Sequence, residues 1–210
     1  MAEWKHETNE HDVLYKYRSF DSFENVVDII VNKRLYAASY KDMNDPMEGC
    51  YDYPEEHYND DYIQEKLEKT IEEQKFCSLS QKPDIDLMWG HYSKGHRGIC
   101  FGVKLKNTKK GGKSYFVRYN GISNLTPAKD ARQLKERAQK ILRYKKSCWA
   151  YEEEVRLFST DGHLVDVEVV EVLFGSRVEA RFSALVKNLI SNYLPKLKFD
   201  EEINGFKYVE

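Results

Sequence analysis

The residues with the most chemistry in this chain lie together in Trp149-Ala150-Tyr151-Glu152-Glu153-Glu154-Val155-Arg156-Leu157-Phe158, where carboxylates stand at the mouth of a short apolar strand. On an extended segment side chains alternate faces, so Glu152 and Glu154 are expected to share one surface while Glu153 turns to the other. Like charges held that close raise at least one pKa unless a cation or a hydroxyl-bearing ligand sits between them. A pair of this kind can hold a sugar hydroxyl or stabilise an oxocarbenium ion. The plainer reading is a charged strand edge with Arg156 as an intrachain partner, a common device against edge pairing.

Two other segments add polar groups at strand positions. Lys75-Phe76-Cys77-Ser78-Leu79-Ser80 alternates and ends in two hydroxyls on one face, although S-x-S alone usually marks an ordinary strand end. Its flank, Gln81-Lys82-Pro83-Asp84, predicts a turn feeding a helix capped by Asp84. Leu14-Tyr15-Lys16-Tyr17-Arg18-Ser19-Phe20 reads as the first strand, with Lys16 and Arg18 on one face and Tyr15 and Tyr17 on the other. An arginine there is commonly a structural ion pair, but its planar fork also suits bidentate grip of a phosphate. Asn44-Asp45-Pro46 forms a turn in which Asp45 satisfies backbone donors. A loop at that point can lie over a ligand cleft, which keeps Asp45, of the three polar residues Asn44, Asp45 and Glu48, as a site candidate.

These groups need elements to position them. At 210 residues and 41% hydrophobic, the chain can bury a full core, and one domain over 1–210 is expected. Asp21 and Glu24 form a capping box before the periodic run Phe23, Val26, Val27, Ile30, predicting a helix over about residues 22–33. A short strand follows over 35–39, then an acidic, tyrosine-rich loop to Asp61, a helix over 62–73, and a third helix containing Leu87, Met88 and Tyr92. Strands are predicted at 99–103 and 115–119, joined as a hairpin through Lys109-Lys110-Gly111-Gly112-Lys113. A basic helix begins after Pro127 and runs to about Tyr144. Strands at 155–158 and 165–174, a helix at 178–193 and a strand at 206–209 complete the chain. The fold class is α+β with mainly antiparallel strands. It has neither a glycine-rich phosphate loop nor a G-x-G-x-x-G turn, so a bound dinucleotide would lie in a cleft between sheets.

Net charge is −2, but from Lys104 to Lys146 fourteen basic residues face only Asp130 and Glu136, a local +12 against −14 elsewhere. Such polarity suits a polyanionic partner, although lysine-rich helices are more often solvated faces. Lys135, Lys140 and Arg143 are expected at exposed helix positions. Cys50, Cys77, Cys100 and Cys148 lack C-x-x-C spacing, which argues against zinc and for reduced thiols in the cytoplasm. His91 and His96, five residues apart, are read as non-ligands. No long apolar run suggests a membrane span, and the polar N-terminus does not resemble a signal peptide.

In order, an arginine on the first strand, an aromatic-x-Ser-x-Ser strand and a late E-x-E resemble the Arg-Ser-Glu signature of the ADP-ribosyltransferase superfamily. The resemblance implies NAD as substrate, a split, mainly antiparallel β-sandwich with peripheral helices, and defined roles for these residues. Arg18 would contact the NAD phosphates and ribose, and Ser78 and Ser80 would brace the nicotinamide-ribose pocket. Glu154 would be catalytic, and Glu152 would orient or activate the acceptor. Tyr92, Trp89 or Tyr151 would stack on nicotinamide, although core packing is the plainer role for Trp89 and Tyr92, and Tyr17 joins the candidate lining. Glu154→Gln is expected to slow NAD cleavage with little change in stability.

A longer resemblance, covering most of the chain, is to a widespread bacterial family known only as a domain of unknown function. It rests on Tyr15 to Phe20, Asn44-Asp45-Pro46-Met47-Glu48, Phe76 to Ser80, Leu87 to Tyr92 with Gly98-Ile99-Cys100, and Lys145 with Trp149 to Arg156. The expected activity is mono-ADP-ribosyl transfer from NAD to a nucleic-acid or protein acceptor, in a toxin or phage-defence setting with a cognate inhibitor protein. The alternatives are a plain NAD glycohydrolase and a non-catalytic nucleic-acid- or protein-binding module. In the last, the glutamates only pair with Arg156 and Lys145.

Overall fold

The computed structural model describes residues 12–52, 61–106, 113–121, 123–124 and 131–208. Its strands are β1 (Leu14–Arg18), β2 (Arg34–Tyr36), β3 (Ala38–Ser39), β4 (Tyr51–Asp52), β5 (Lys75–Ser80), β6 (Ile99–Leu105), β7 (Lys113–Phe116), β8 (Ser123–Asn124), β9 (Glu154–Phe158), β10 (Leu164–Phe174), β11 (Leu197–Asp200) and β12 (Gly205–Tyr208). Its helices are α1 (Phe23–Asn32), α2 (Asp61–Glu73), α3 (Asp86–Tyr92), α4 (Ala131–Ile141) and α5 (Ala180–Tyr193). This is an α+β architecture, and no described helix is long and apolar enough to cross a membrane.

The uninterrupted apolar run Ile99 to Val103 is buried on both faces, as a central strand must be. One face of the sheet packs Phe101, Val103 and Val172 under Val26, Ile29 and Ile30 of α1 and Val186 and Ile190 of α5. On the other, Cys100 and Tyr17 meet Met88 and Trp89 of α3. Strand order is β11-β12-β10-β6-β1-β5-β9-β7, with β2 attached to β10 and β3 to β5. A β-sandwich is therefore not what forms: these ten strands make one open ladder, and helices rather than a second sheet cover the large core.

The ladder is not uniformly zipped. Strand β1 pairs with β6 along its whole length, from Leu14↔Val103 to Arg18↔Ile99, yet meets β5 at the single pair Tyr15↔Ser80. Beyond that pair β5 stays with β9 over five pairs, Phe76↔Phe158 to Ser80↔Glu154. The two halves of the sheet are joined at one point and open a cleft beside it. A second core, with Leu67 and Ile71 of α2 against Leu134, Ala138 and Ile141 of α4, closes over Phe76 and Phe158 behind the cleft.

Several local expectations are corrected. Strands β6 and β7 are not a hairpin: β6 lies between β1 and β10, whereas β7 pairs, among the described residues, with β9 alone, and the glycine pair falls outside the described residues. The 35–39 strand breaks at Ala37, whose N–H donates to His163 O, so β2 pairs with β10 and β3 with β5. Residues 20–22 form a 3-10 turn, and the N-cap of α1 is Ser22 without a side-chain bond; Asp21 instead pairs with Lys94. Ile85, not Asp84, precedes α3. Strand β11 and the small parallel pair β4–β8 lie outside the elements the sequence predicts.

Gly98 adjoins β6 so closely to β1 that a Cβ there would overlap the carbonyl oxygen of Arg18 and lie 2.9 Å from Ser93 Cβ. Both neighbours are fixed, one as backbone. Gly98→Ala is expected to cost about 1–3 kcal/mol, as overpacking does, measurable by urea denaturation.

Candidate active site

Arg156 is the hub. It is fully buried, and its five donors all find acceptors. Nε donates to Glu154 Oε1 at 2.9 Å and Nη2 to Glu154 Oε2 at 3.2 Å and Glu48 Oε2 at 2.8 Å. Nη1 donates to Glu48 Oε1 and Leu142 O. The guanidinium also lies 4.7 Å from the Phe76 ring centroid. The Asn-Asp-Pro turn delivers the second carboxylate: Asp45 Oδ1 accepts from Met47 N and Asp45 O from Glu48 N, aiming Glu48 inward.

Glu152 and Glu154 do share one face, but not through strand alternation. Residues Ser147–Glu152 form a 3-10 helix and Glu153 adopts the left-handed conformation (φ 42°, ψ 49°), so β9 begins only at Glu154. This turn brings both carboxylates onto Lys145, whose Nζ lies 2.6 Å from Glu152 Oε2 and 3.1 Å from Glu154 Oε2. Lys145 is thus the cation that two adjacent carboxylates require. The Tyr92 hydroxyl donates to Glu152 Oε1 at 2.6 Å and accepts from Asn44 Nδ2 at 2.8 Å. Glu153 points away, to a surface ion pair with Lys82.

Glu48, Glu152 and Glu154 face Lys145 and Arg156, three carboxyl groups to two cations, and burial raises the Glu48 pKa against the pull of Arg156. Burial alone would raise the Glu154 pKa, but Arg156, Lys145 and the Ser78 hydroxyl bring it down to about 2. For Lys145 the two glutamates outweigh burial and raise its pKa. Burial and Glu152 together raise that of Tyr92, which stays a neutral donor.

The sign of the pH effect follows. A carboxyl at about 2 when folded, against about 4.3 when unfolded, adds stability that is complete above the unfolded value and lost as pH falls toward 2. The acid loss of stability between about pH 5 and 2 should therefore be shallower in Glu154→Gln than in the parent, read from urea melts across that range.

A cleft of about 310 Å³ opens beside this cluster, where β1 and β5 part. Arg18, Ser78, Tyr17, Tyr92, Glu152 and Glu154 all line it, as do Lys16 and Lys145. The buried Nε of Arg18 has no hydrogen-bond partner among the described residues. Four predicted residues lie elsewhere; one of them, Tyr151, packs against the cluster of Tyr17, Met88 and Trp89. Ser80 is fully buried, donates to Glu152 O at 2.8 Å and accepts from Lys82 N, clamping the Glu152–Glu153 turn. Trp89 is core, with Nε1 on Pro83 O at 2.8 Å, Tyr17 edge-on at 5.2 Å and His96 stacked at 5.7 Å. Asp45 is buried in its turn with Oδ2 unpartnered among the described residues, and it does not line the cleft. Stacking by Tyr92 is also constrained, since its hydroxyl is tethered to Glu152.

Glu48, Lys145, Asn44 and Tyr119, whose hydroxyl accepts from Glu154 N at 2.6 Å, were not among the sequence-derived site residues. The signal available was the placement of Glu48 and Lys145 within the two most charged motifs around a buried arginine. The basic segment is also less free than its composition suggests. Lys145 is buried, Arg143 lies past α4 with its guanidinium 4.4 Å from the Tyr115 centroid, and Lys140 is half-buried; Lys135 is exposed as expected.

A family model described as "Protein of unknown function (DUF2971)" matches residues 88–157. That third of the chain holds Tyr92, Lys145, Glu152, Glu154 and Arg156, whereas Arg18, Glu48 and Ser78 lie before it. No curated protein and no solved structure matches the chain.

Proposed function

We propose that the cleft binds NAD as a substrate and that the chain cleaves the nicotinamide–ribose bond, passing ADP-ribose to a macromolecular acceptor as mono-ADP-ribosyltransferases do. The observation that carries this reading is the pairing, within one cleft, of an arginine lacking a hydrogen-bond partner at Nε among the described residues with Glu154, a buried carboxylate that Arg156 and Lys145 keep ionised. Arg18 takes the pyrophosphate, for which its fork is suited. Glu154 faces the ribose. As the C1′–N bond breaks, the electron pair leaves with nicotinamide and positive charge grows on the ribose, where a preorganised anion lowers the barrier. Arg156, Lys145 and Ser78 hold Glu154 in place and ionised, and Glu152, engaged by Lys145 and Tyr92, contributes charge and orientation near the incoming acceptor.

With water as acceptor the same cleavage is NAD hydrolysis, and free ADP-ribose rather than a modified macromolecule is the product. A non-catalytic binding module has one observation in its favour, since Glu152 and Glu154 do pair with Lys145 and Arg156. Nicotinamide release on incubation with NAD separates these readings, because a binding module releases none. A binding module would instead retain nucleic acid with steep salt dependence. A cytoplasmic setting with a cognate inhibitor protein belongs to the same proposal, since an NAD-consuming enzyme must be held in check where NAD is abundant.

A further inference from the structure

Lys16 has no part in the NAD chemistry above, yet its side chain lines the same cleft. It stands two residues before Arg18 on β1, so both side chains leave the same face of the strand. Its surroundings differ from those of other lysines here. Lys41, Lys82, Lys94 and Lys145 each lie 2.6–2.7 Å from a carboxylate oxygen. Lys16 Nζ donates to a neutral acceptor, Ser78 O, at 2.7 Å, and forms no ion pair among the described residues.

A half-buried ammonium whose acceptor is a carbonyl, with the Cys77 thiol beside it, loses part of its advantage over the neutral amine. Burial lowers the Lys16 pKa most; Cys77 opposes it, Arg18 on the same strand lowers it further by a smaller amount, and Glu154 opposes weakly, the net direction being down. Desolvation and a neighbouring cation are the two devices by which lysines become nucleophiles. Phe76 and Leu79 supply the apolar wall, and Arg18, with its buried Nε unpartnered, offers anion recognition beside the amine.

We propose that Lys16 is a nucleophilic amine that forms a Schiff base with the carbonyl of a small anionic aldehyde or ketone, whose phosphate or carboxylate Arg18 holds. The neutral Nζ lone pair attacks the carbonyl carbon and the C=O π pair moves to oxygen. The carbinolamine then loses water, its oxygen carrying away the two amine protons, which leaves C=N. Amine and carbonyl give imine and water, with no oxidant or reductant required. This activity goes beyond NAD cleavage and shares only Arg18 and the cleft with it.

The test uses the full chain with three probes, pyridoxal phosphate, pyridoxal and glyoxylate, each followed by borohydride reduction and mapping of modified lysines by mass spectrometry. Lys16 should be labelled at least about tenfold faster than the exposed Lys41 and Lys94. Pyridoxal phosphate should outpace pyridoxal at Lys16 if the anion is a phosphate, and glyoxylate should label it selectively if a carboxylate suffices. In Arg18→Gln the advantage of the anionic probes should vanish while pyridoxal still reacts at Lys16. Labelling of Lys16 no faster than of Lys41 and Lys94, or anion preference unchanged in Arg18→Gln, overturns the proposal. Selective labelling in a protein that releases no nicotinamide would leave this inference standing and remove the NAD reading alone.

Discussion

Arg156→Ala is expected to cost about 3–5 kcal/mol of folding stability, because it strands Glu48 and Glu154 as buried carboxylates without their shared cation. Domain stabilities are about 5–15 kcal/mol, so such a loss removes much of the margin. Arg156→Lys restores charge but has three donors in place of five and cannot fork between two carboxylates, so an intermediate loss is expected. Urea denaturation of the three proteins checks this. A stability for Arg156→Ala equal to the parent's would mean that the cluster does not organise this end of the sheet.

The second large effect concerns Glu154. Gln keeps its volume but removes the charge facing the developing cation, and NAD cleavage should fall by at least about a hundredfold. The expectation that stability would change little does not survive the structure, because Glu154 is buried and paired with both Arg156 and Lys145. Turnover must therefore be measured per folded molecule, under conditions where the variant is native. Glu153→Gln is the internal control: it removes only a surface ion pair with Lys82, which is worth about 0–1 kcal/mol, and it should retain near-parental turnover. Equal losses in both variants would show that the face assignment is wrong.

What could be read from the chain follows from how local each signal was. The periodic run from Phe23 to Ile30 and the alternation of Val165, Val167 and Val169 report burial of a face, and α1 and β10 form where they lie. The Lys109–Lys113 glycine signal reports a turn but not which strands it joins, and β6 and β7 end on opposite sides of β1, β5 and β9. Likewise E-x-E predicts extended backbone, whereas a left-handed Glu153 and a 3-10 turn achieve the same convergence by another route. Lys145 sits in a run dominated by solvated lysines, and nothing local distinguishes it from Lys146, which is exposed. Its role depends on the long-range approach of the loop carrying Arg118, whose O accepts from Lys145 N. Arg18, Ser78 and Glu154 were separable as candidates because each stands at a strand position, and the seam between β1 and β5 is what brings them to one cleft.

The most direct test of NAD cleavage in this cleft is nicotinamide release by the parent protein and by Arg18→Gln across a range of NAD concentrations. Among the described residues Arg18 Nε has no hydrogen-bond partner to lose, so the substitution should leave the thermal midpoint almost unchanged. The parent should release nicotinamide in proportion to enzyme, and Arg18→Gln should raise KM by at least about tenfold, the loss of one charge-assisted phosphate contact. Release no greater than from NAD in buffer, at every concentration and with candidate acceptors present, would contradict the account, as would identical kinetics in the two proteins.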